Sequence, residues 1–326
     1  MKILVIFTGG TIGSEASGEY ISIDGIKPYK LLQMYADAYP DEARDVRFDT
    51  ESPYTVLSEN ADGNTFKKLF DAVSQGVDAG YDGIIVTHGS DTLQYGAAVA
   101  AYAAGCDSIP VIMVASNYVL EDERSNGLVN FRSAVLFIKG RYGTGAYVAY
   151  ANRGGRCRIH CALELMPHGM FDDSLHSVNE EYYGEFDDGR FIRTNHACPK
   201  YGRIQETPET PDGCIGIMCM SVHPGMVCPE ITDSVKAVII ESYHSGTVCT
   251  DYRPFCEMLE KAAMLSIPVY LVGAYEGQDY ESCAAYKHMG IRVLSKIPQA
   301  AAYVGIWLGV ISVSYTHLRA HETRSN

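Results

Sequence analysis

Two kinds of apolar segment alternate along this chain. The first is the short unbroken run. Residues 3–7, in a strand that starts at Lys2, and residues 84–86, 110–115 and 146–150 are apolar without alternation, as expected of strands buried on both faces of a parallel sheet. Residues 46–48 form a weaker strand ahead of Pro53. The second kind is helical. Leu31, Leu32 and Tyr35 repeat at helical spacing within 27–38, and Phe66, Leu69, Phe70 and Val73 line one face of 64–79. Small residues predict a helix from Leu93, and another helix covers 131–139. Strand and helix in alternation imply a parallel sheet with helices on both faces.

The pattern dissolves after Glu185, where Gly, Asp, Pro and Thr dominate and Pro208 and Pro211 bracket a short polar pair. It resumes with strands at 214–220, 235–241 and 269–272 and helices at 253–265 and 299–310. The expected class is therefore α/β. A larger N-terminal domain, a doubly wound and mostly parallel sheet, takes residues 1–185. Residues 186–212 are the expected linker, and a smaller C-terminal α/β domain takes 213–311. No internal repeat is present.

Polar residues cluster at the ends of two of these strands. The run Thr87-His88-Gly89-Ser90-Asp91 follows Ile84–Val86 directly and precedes a helix. Asp91 or Thr92 is placed to cap that helix. The same position, at the carboxyl end of a buried strand, is where open α/β sheets bind ligands. Thr8-Gly9-Gly10-Thr11 occupies the matching place after the first strand. It is neither a dinucleotide fingerprint nor a phosphate loop with its lysine.

Composition narrows the partners. Of 326 residues, 47% are hydrophobic, which is ordinary for a globular protein. A formal net charge of −14 with no dense basic block argues against nucleic acid and anionic membrane as partners. No run is long enough to span a bilayer, so a cytoplasmic location is expected. The ten cysteines include no Cys-x-x-Cys, and reduced thiols are the expectation in place of a disulfide framework or a zinc site.

Taken as a pair, Thr8-Gly9-Gly10-Thr11-Ile12 and His88-Gly89-Ser90-Asp91-Thr92 resemble the two motifs of the bacterial-type L-asparaginase family. Leu120, Arg124-Ser125-Asn126-Gly127 and Asn130 are similar to its cytoplasmic type I branch. His223-Pro224-Gly225 and the run from Glu241 to Gly246 match more loosely. The likeness covers most of residues 1–310 and is strongest in the first half.

The resemblance implies an amidohydrolase with no metal or organic cofactor. Its substrate is a small amino-acid amide, and it works as a homodimer or homotetramer. Thr11 falls on the family's nucleophile and Tyr20 on its activating tyrosine. Ser58, Glu59 and Asn60 fall on the substrate-binding turn. Ser90 falls on the second motif's hydroxyl, and Asp91 on the carboxylate that takes the substrate amine. The chemistry asks for these types. An alcohol nucleophile needs a proton acceptor, an amide carbonyl needs oriented N–H donors, and an α-ammonium needs a carboxylate.

Four positions depart from the family. Ser90 replaces the usual threonine, Glu59 replaces glutamine or serine, and Thr247 replaces the asparagine offered to a neighbouring subunit. The relay lysine has no counterpart in 152–161, where His160 and Arg158 are the candidate substitutes. L-Asparagine hydrolysis through a threonyl ester is the expected activity. The alternatives are a glutaminase-asparaginase of the same fold and an amino-acid-binding homologue without catalysis.

Helical period is lost after Val310, and residues 312–326 read as a polar tail foreign to the closing helix. Deleting 312–326 should leave both melting temperature and ammonia release unchanged. A large drop in either would show that the tail packs natively.

Overall fold

The computed structural model describes residues 1–10, 12, 15–17, 20–22, 28–277 and 280–311. It divides into two compact units, Met1–Cys214 and Ile215–Asn326. The tail, 312–326, lies outside the described residues.

The first unit is organised by an eight-stranded sheet. Its strands are β1 (Lys2–Phe7), β4 (Arg47–Glu51), β5 (Gly83–Thr87), β6 (Pro110–Val114), β7 (Gly145–Ala151), β8 (Cys157–Cys161), β9 (Gly184–Asp187) and β10 (Arg190–Arg193). A separate hairpin joins β2 (Glu15–Ser17) to β3 (Tyr20–Ser22). The order across the large sheet is β10-β9-β8-β7-β6-β5-β1-β4. From β4 to β7 every pairing is parallel, and from β7 to β10 every pairing is antiparallel.

Helices cover both faces. They are α1 (Pro28–Ala38), α2 (Pro40–Ala43), α3 (Gly63–Asp78), α4 (Leu93–Ala104) and α5 (Gly127–Gly140). Ile3, Val5, Phe7, Ile85 and Ile112 point to the face holding Leu31 and Tyr35 of α1 and Phe131 of α5, in one buried cluster. The other residues of the same strands meet the opposite layer. A Cβ at Gly76 of α3 would come within 2.7 Å of Leu4 and 2.8 Å of Ile84. Only a glycine lets the helix approach that closely. The unbroken apolar runs follow from this double burial.

Residues 186–212, expected as linker, begin as structure. β9 and β10 form an antiparallel edge hairpin through Asp188 and Gly189, both at positive φ. Only Gly184 and Phe186 of β9 are buried, and β10 is mostly exposed and carries Arg190 and Arg193, so both lack the signature of a two-sided strand. β8 is buried at four of its five positions, and Arg158 and His160 keep it from reading as an apolar run.

Asparagines hold the polar ends of the central strands. Asn130 is fully buried; its Nδ2 donates to the Ala115 carbonyl at 2.9 Å and its Oδ1 accepts from the Ala151 amide at 2.7 Å. Asn126 Nδ2 donates to the Ala151 carbonyl at 2.9 Å, and its Oδ1 accepts from the Asn117 amide at 3.0 Å. One turn of α5 thus stitches the exits of β6 and β7.

The second unit carries a four-stranded parallel sheet in the order of β11 (Ile217–Ser221), β12 (Ala237–Glu241), β13 (Val269–Val272) and β14 (Ile291–Val293). Its helices are α6 (Arg253–Met264), α7 (Glu281–Ala285) and α8 (Gln299–Trp307). The last helix stops short of the expected Val310. Gly309 at φ 71° takes the left-handed conformation that ends helices, and Ile311 beyond it is still buried.

The expectation of reduced thiols needs one correction. Cys161 and Cys198 are joined as a disulfide across a sequence separation of 37, and eight other cysteines are free. The topology brings the end of β8 and the segment following β10 together, which spacing along the sequence does not reveal.

Asn130→Ala strands a buried N–H and a buried C=O, each worth about 1–3 kcal/mol. Urea denaturation should show a loss of about 2–5 kcal/mol. A cost under about 1 kcal/mol would mean that the strand exits are held by other bonds.

Candidate active site

β1 lies between β4 and β5, so the chain leaves β1 toward one side of the sheet and leaves β5 toward the other. Such a reversal opens a crevice at the carboxyl ends of the two strands. Both threonine-glycine motifs end there. Thr8 is buried, and its Oγ1 donates to the Thr87 carbonyl at 2.8 Å, which ties the two exits together.

Beyond Thr8 the backbones cross. Gly10 sits at φ +76°, and a Cβ there would lie 2.5 Å from both N and Cα of Gly89. No side chain fits at that crossing. A Cβ on Gly89 would in turn come within 2.5 Å of Ser58 Cβ. Ser58 opens the 3-10 turn Ser58–Asn60 that follows β4. Three loops therefore meet at one point, delivered by β1, β4 and β5.

Ser58 is buried and its Oγ donates to Asp91 Oδ2 at 3.1 Å. Its carbonyl accepts from Thr92 Oγ1 at 3.0 Å. Neither bond is a helix cap. Thr92, the residue at the N-cap of α4, makes no side-chain cap bond. The Asp91 carboxylate accepts from Ser58 instead of capping, and stays exposed to the crevice. By contrast, α3 has an ordinary cap, with Asp62 accepting from the Thr65 amide at 2.8 Å. Ser90 is half-buried between Gly89 and Asp91, and Glu59 is exposed on the Ser58 turn. Ser58, Ser90 and Asp91 are thus brought together, with Glu59 on the same turn as Ser58.

His88 is buried and packs on the Cα of Gly96, where a Cβ would lie 2.6 Å from Nε2. Its Nδ1 donates to the Gly89 carbonyl at 2.9 Å. Burial lowers its pKa, so the ring is a neutral prop under the loop.

Thr11 lies outside the described residues. Its neighbours are placed: Gly10 at the crossing and Ile12 at 1% exposure in the core. Tyr20 falls on β3, opposite Ser17 of β2. Thr247 belongs to the second unit, where its carbonyl accepts from the Tyr243 amide at 3.0 Å.

The two candidate relay residues sit on β8. His160 is buried, with Nδ1 2.8 Å from Ser177 Oγ, and burial presses its pKa down to about 3. Arg158 lies over the Tyr182 ring at 4.6 Å. Among the described residues no hydrogen bond joins either one to Asp91.

His168 carries no signal in the sequence. Both of its ring nitrogens are buried without a hydrogen-bond partner among the described residues. Its ring meets Tyr150, at the end of β7, edge-on at 5.4 Å. Burial lowers its pKa, and the Asp173, Asp91 and Asp172 carboxylates act in the opposite direction. Unlike His88 and His160, it feels the charge of Asp91. The chain around it offers only an isolated Pro-His-Gly.

The family model for the N-terminal region of asparaginases matches residues 2–196. The chain belongs to the asparaginase family. Solved asparaginases share the fold. The thermostable L-asparaginase from Thermococcus kodakarensis aligns with a TM-score of 0.73 at 19% identity, over 95% of this chain and 93% of that one. L-Asparaginase I from Vibrio cholerae gives 0.73 at 18% identity, over 99% and 97%.

Among curated proteins, a glutamyl-tRNA(Gln) amidotransferase subunit of Aeropyrum pernix is 26% identical over 55% of this asparaginase-family chain. Its counterpart from Metallosphaera sedula is 30% identical over 42% of the chain. These matches span only 42% and 31% of those relatives' own lengths. No described helix is long and apolar enough to cross a membrane.

Proposed function

We propose that this chain is a cytoplasmic amidohydrolase that converts L-asparagine to L-aspartate and ammonia through Thr11. The observation that carries the reading is the Ser58–Asp91 pair beside the Gly10–Gly89 crossing. It puts an uncapped carboxylate at a strand-end crevice next to the loop that leads into Thr11.

Asp91 takes the substrate α-ammonium, and Ser58 with Ser90 supplies hydroxyls at the same end of the molecule. Thr11 Oγ attacks the side-chain amide carbon. Its proton passes, with help from Tyr20, toward the leaving nitrogen, and ammonia departs from the resulting ester. Water then adds to the ester and frees aspartate and Thr11. Backbone N–H groups of the crossed glycine loops stabilise the oxyanion.

His168 takes the part that the family gives to lysine. An imidazole accepts a proton only when neutral, and burial keeps this one neutral at neutral pH. His160 is pressed further down, to about 3, and is already paired with Ser177.

Glutamine is the second reading, favoured by the curated relatives named for glutamyl-tRNA(Gln) amidotransfer. One methylene separates the two substrates, a difference of about 1–3 kcal/mol by packing alone. The active species is a homodimer or homotetramer, to be checked by light scattering at assay concentration.

Ammonia release from asparagine and glutamine tests the reading. Wild type should release ammonia faster from asparagine, and Thr11→Ala should abolish release while still binding aspartate. Wild-type turnover by Thr11→Ala would end the proposal, and binding without turnover in the wild type would favour the non-catalytic homologue.

The role of His168 has its own readout. Because its folded pKa lies below the usual histidine value, kcat should fall as pH drops through that lowered value and hold steady above it. His168→Gln should lower kcat by about 10²–10⁴-fold, leave KM nearly unchanged and remove that acid limb. A wild-type pH profile in His168→Gln would show that the ring only fills space.

A further inference from the structure

Away from the crevice, β8 ends in Cys161, and the 3-10 turn Ala162–Glu164 follows it. His196 and Cys198 run alongside, just after β10. Cys161 Sγ, a Glu164 carboxylate oxygen and a His196 ring nitrogen all lie within 4.8 Å of one another. Cys198 Sγ is bonded to Cys161 Sγ. Cys161 is 1% exposed and Glu164 8%. His196 Nε2 stands 2.6 Å from Glu164 Oε2, and its Nδ1 stands 3.5 Å from Glu181 Oε2.

We propose that Cys161, Glu164, His196 and Cys198 form a structural zinc site when the two thiols are reduced. The set offers two sulfurs, one imidazole nitrogen and one carboxylate oxygen. This is a closed four-coordinate complement of the kind zinc takes in structural sites. Zinc–sulfur bonds of about 2.3 Å and zinc–nitrogen bonds of about 2.0 Å put tetrahedral ligands about 3.3–3.8 Å apart. Three of the four donors, on Cys161, Glu164 and His196, already lie within 4.8 Å of one another, and Cys198 is bonded to the first of them.

Charge points the same way. Two carboxylates, Glu164 and Glu181, address the two nitrogens of a single imidazole beside two sulfurs. A half-exposed Glu181 on Nδ1 matches the carboxylate–histidine–zinc arrangement, in which the outer carboxylate fixes the tautomer that leaves Nε2 free to ligate. A buried histidine–glutamate pair alone recovers little of its desolvation cost. A divalent cation between them changes that balance.

The pattern Cys-x-x-Glu with His-x-Cys is unlike zinc-finger spacing, which is why spacing along the chain predicts no metal. The disulfide and the metal exclude each other. A dithiol reductant passes two electrons and two protons to the Cys161–Cys198 bond and becomes a disulfide itself, leaving two thiols. Zinc then binds both sulfurs, and two protons leave to solvent. Both states close the same loop of chain, which carries His168, so the proposal fixes the base of that segment under reducing and oxidising conditions alike.

The test uses the full chain in both redox states. Protein treated with a dithiol, incubated with equimolar zinc and passed through a desalting column should retain one zinc per chain by atomic emission. Oxidised wild type should retain almost none. Cobalt in place of zinc should give a thiolate-to-cobalt charge-transfer band in the reduced protein only. Cys198→Ser and His196→Gln should each abolish retention, and Glu181→Gln should weaken it about 10-fold. Reduced wild type that holds no more zinc than its oxidised form, or shows no charge-transfer band, would overturn the proposal. That comparison involves no substitution, so it stands even if a variant fails to fold.

Discussion

The contact between Gly10 and Gly89 is the constraint from which the site follows. Two loops from neighbouring parallel strands pass backbone against backbone, with room for hydrogen only. That passage is possible because β1 and β5 run side by side in register, Phe7 opposite Thr87. It also draws in the turn after β4, since Ser58 fills the far side of Gly89. A substituent on either glycine has backbone to displace, and backbone in a buried sheet does not move cheaply.

Around this point the protein forgoes local stabilisation. A cap on α4 would be worth about 1 kcal/mol, yet Thr92 gives its hydroxyl to Ser58 and Asp91 gives its carboxylate to the crevice. Support comes from elsewhere. His88 wedges under the loop against Gly96, and the narrow alanine-rich α4 seats fully in its layer. Asn126 and Asn130 secure the next two strand exits from one turn of α5. The polar end of the sheet is thus held by buried side-chain bonds, and the Asp91 carboxylate is bonded to Ser58 with no part in capping α4.

How far the sequence could be read follows from where each residue sits. β1, β5, β6, β7 and β13 announce themselves because both faces are buried, so every position must be apolar. β8, β9 and the edge strand β10 are short and broken by charged residues, Arg158, Glu185, Arg190 and Arg193 among them, and runs of that kind resemble loops. The motif pair stands at the exits of β1 and β5, where the sequence left both helix capping and ligand binding open. His168 left no mark. Its environment is built by a long irregular segment whose path no periodicity encodes. The meeting of Cys161 with Cys198 and His196 depends on the edge hairpin turning back, so it became visible only with the topology.

The place of β1 between β4 and β5 has a consequence for how the chain reaches its native state. Residues 2–7 precede their partner strand at 83–87 by some eighty residues, and both flanking strands must be made before β1 is enclosed. Parallel pairing across such a separation is slow, because chain entropy is lost before any contact is gained. During that interval the apolar run of residues 3–7 stands open to aggregation or to chaperone capture. The crevice comes into being with the closing of that central pair. Its appearance would therefore mark the end of folding in the first unit, and little of it can exist in a partly folded chain.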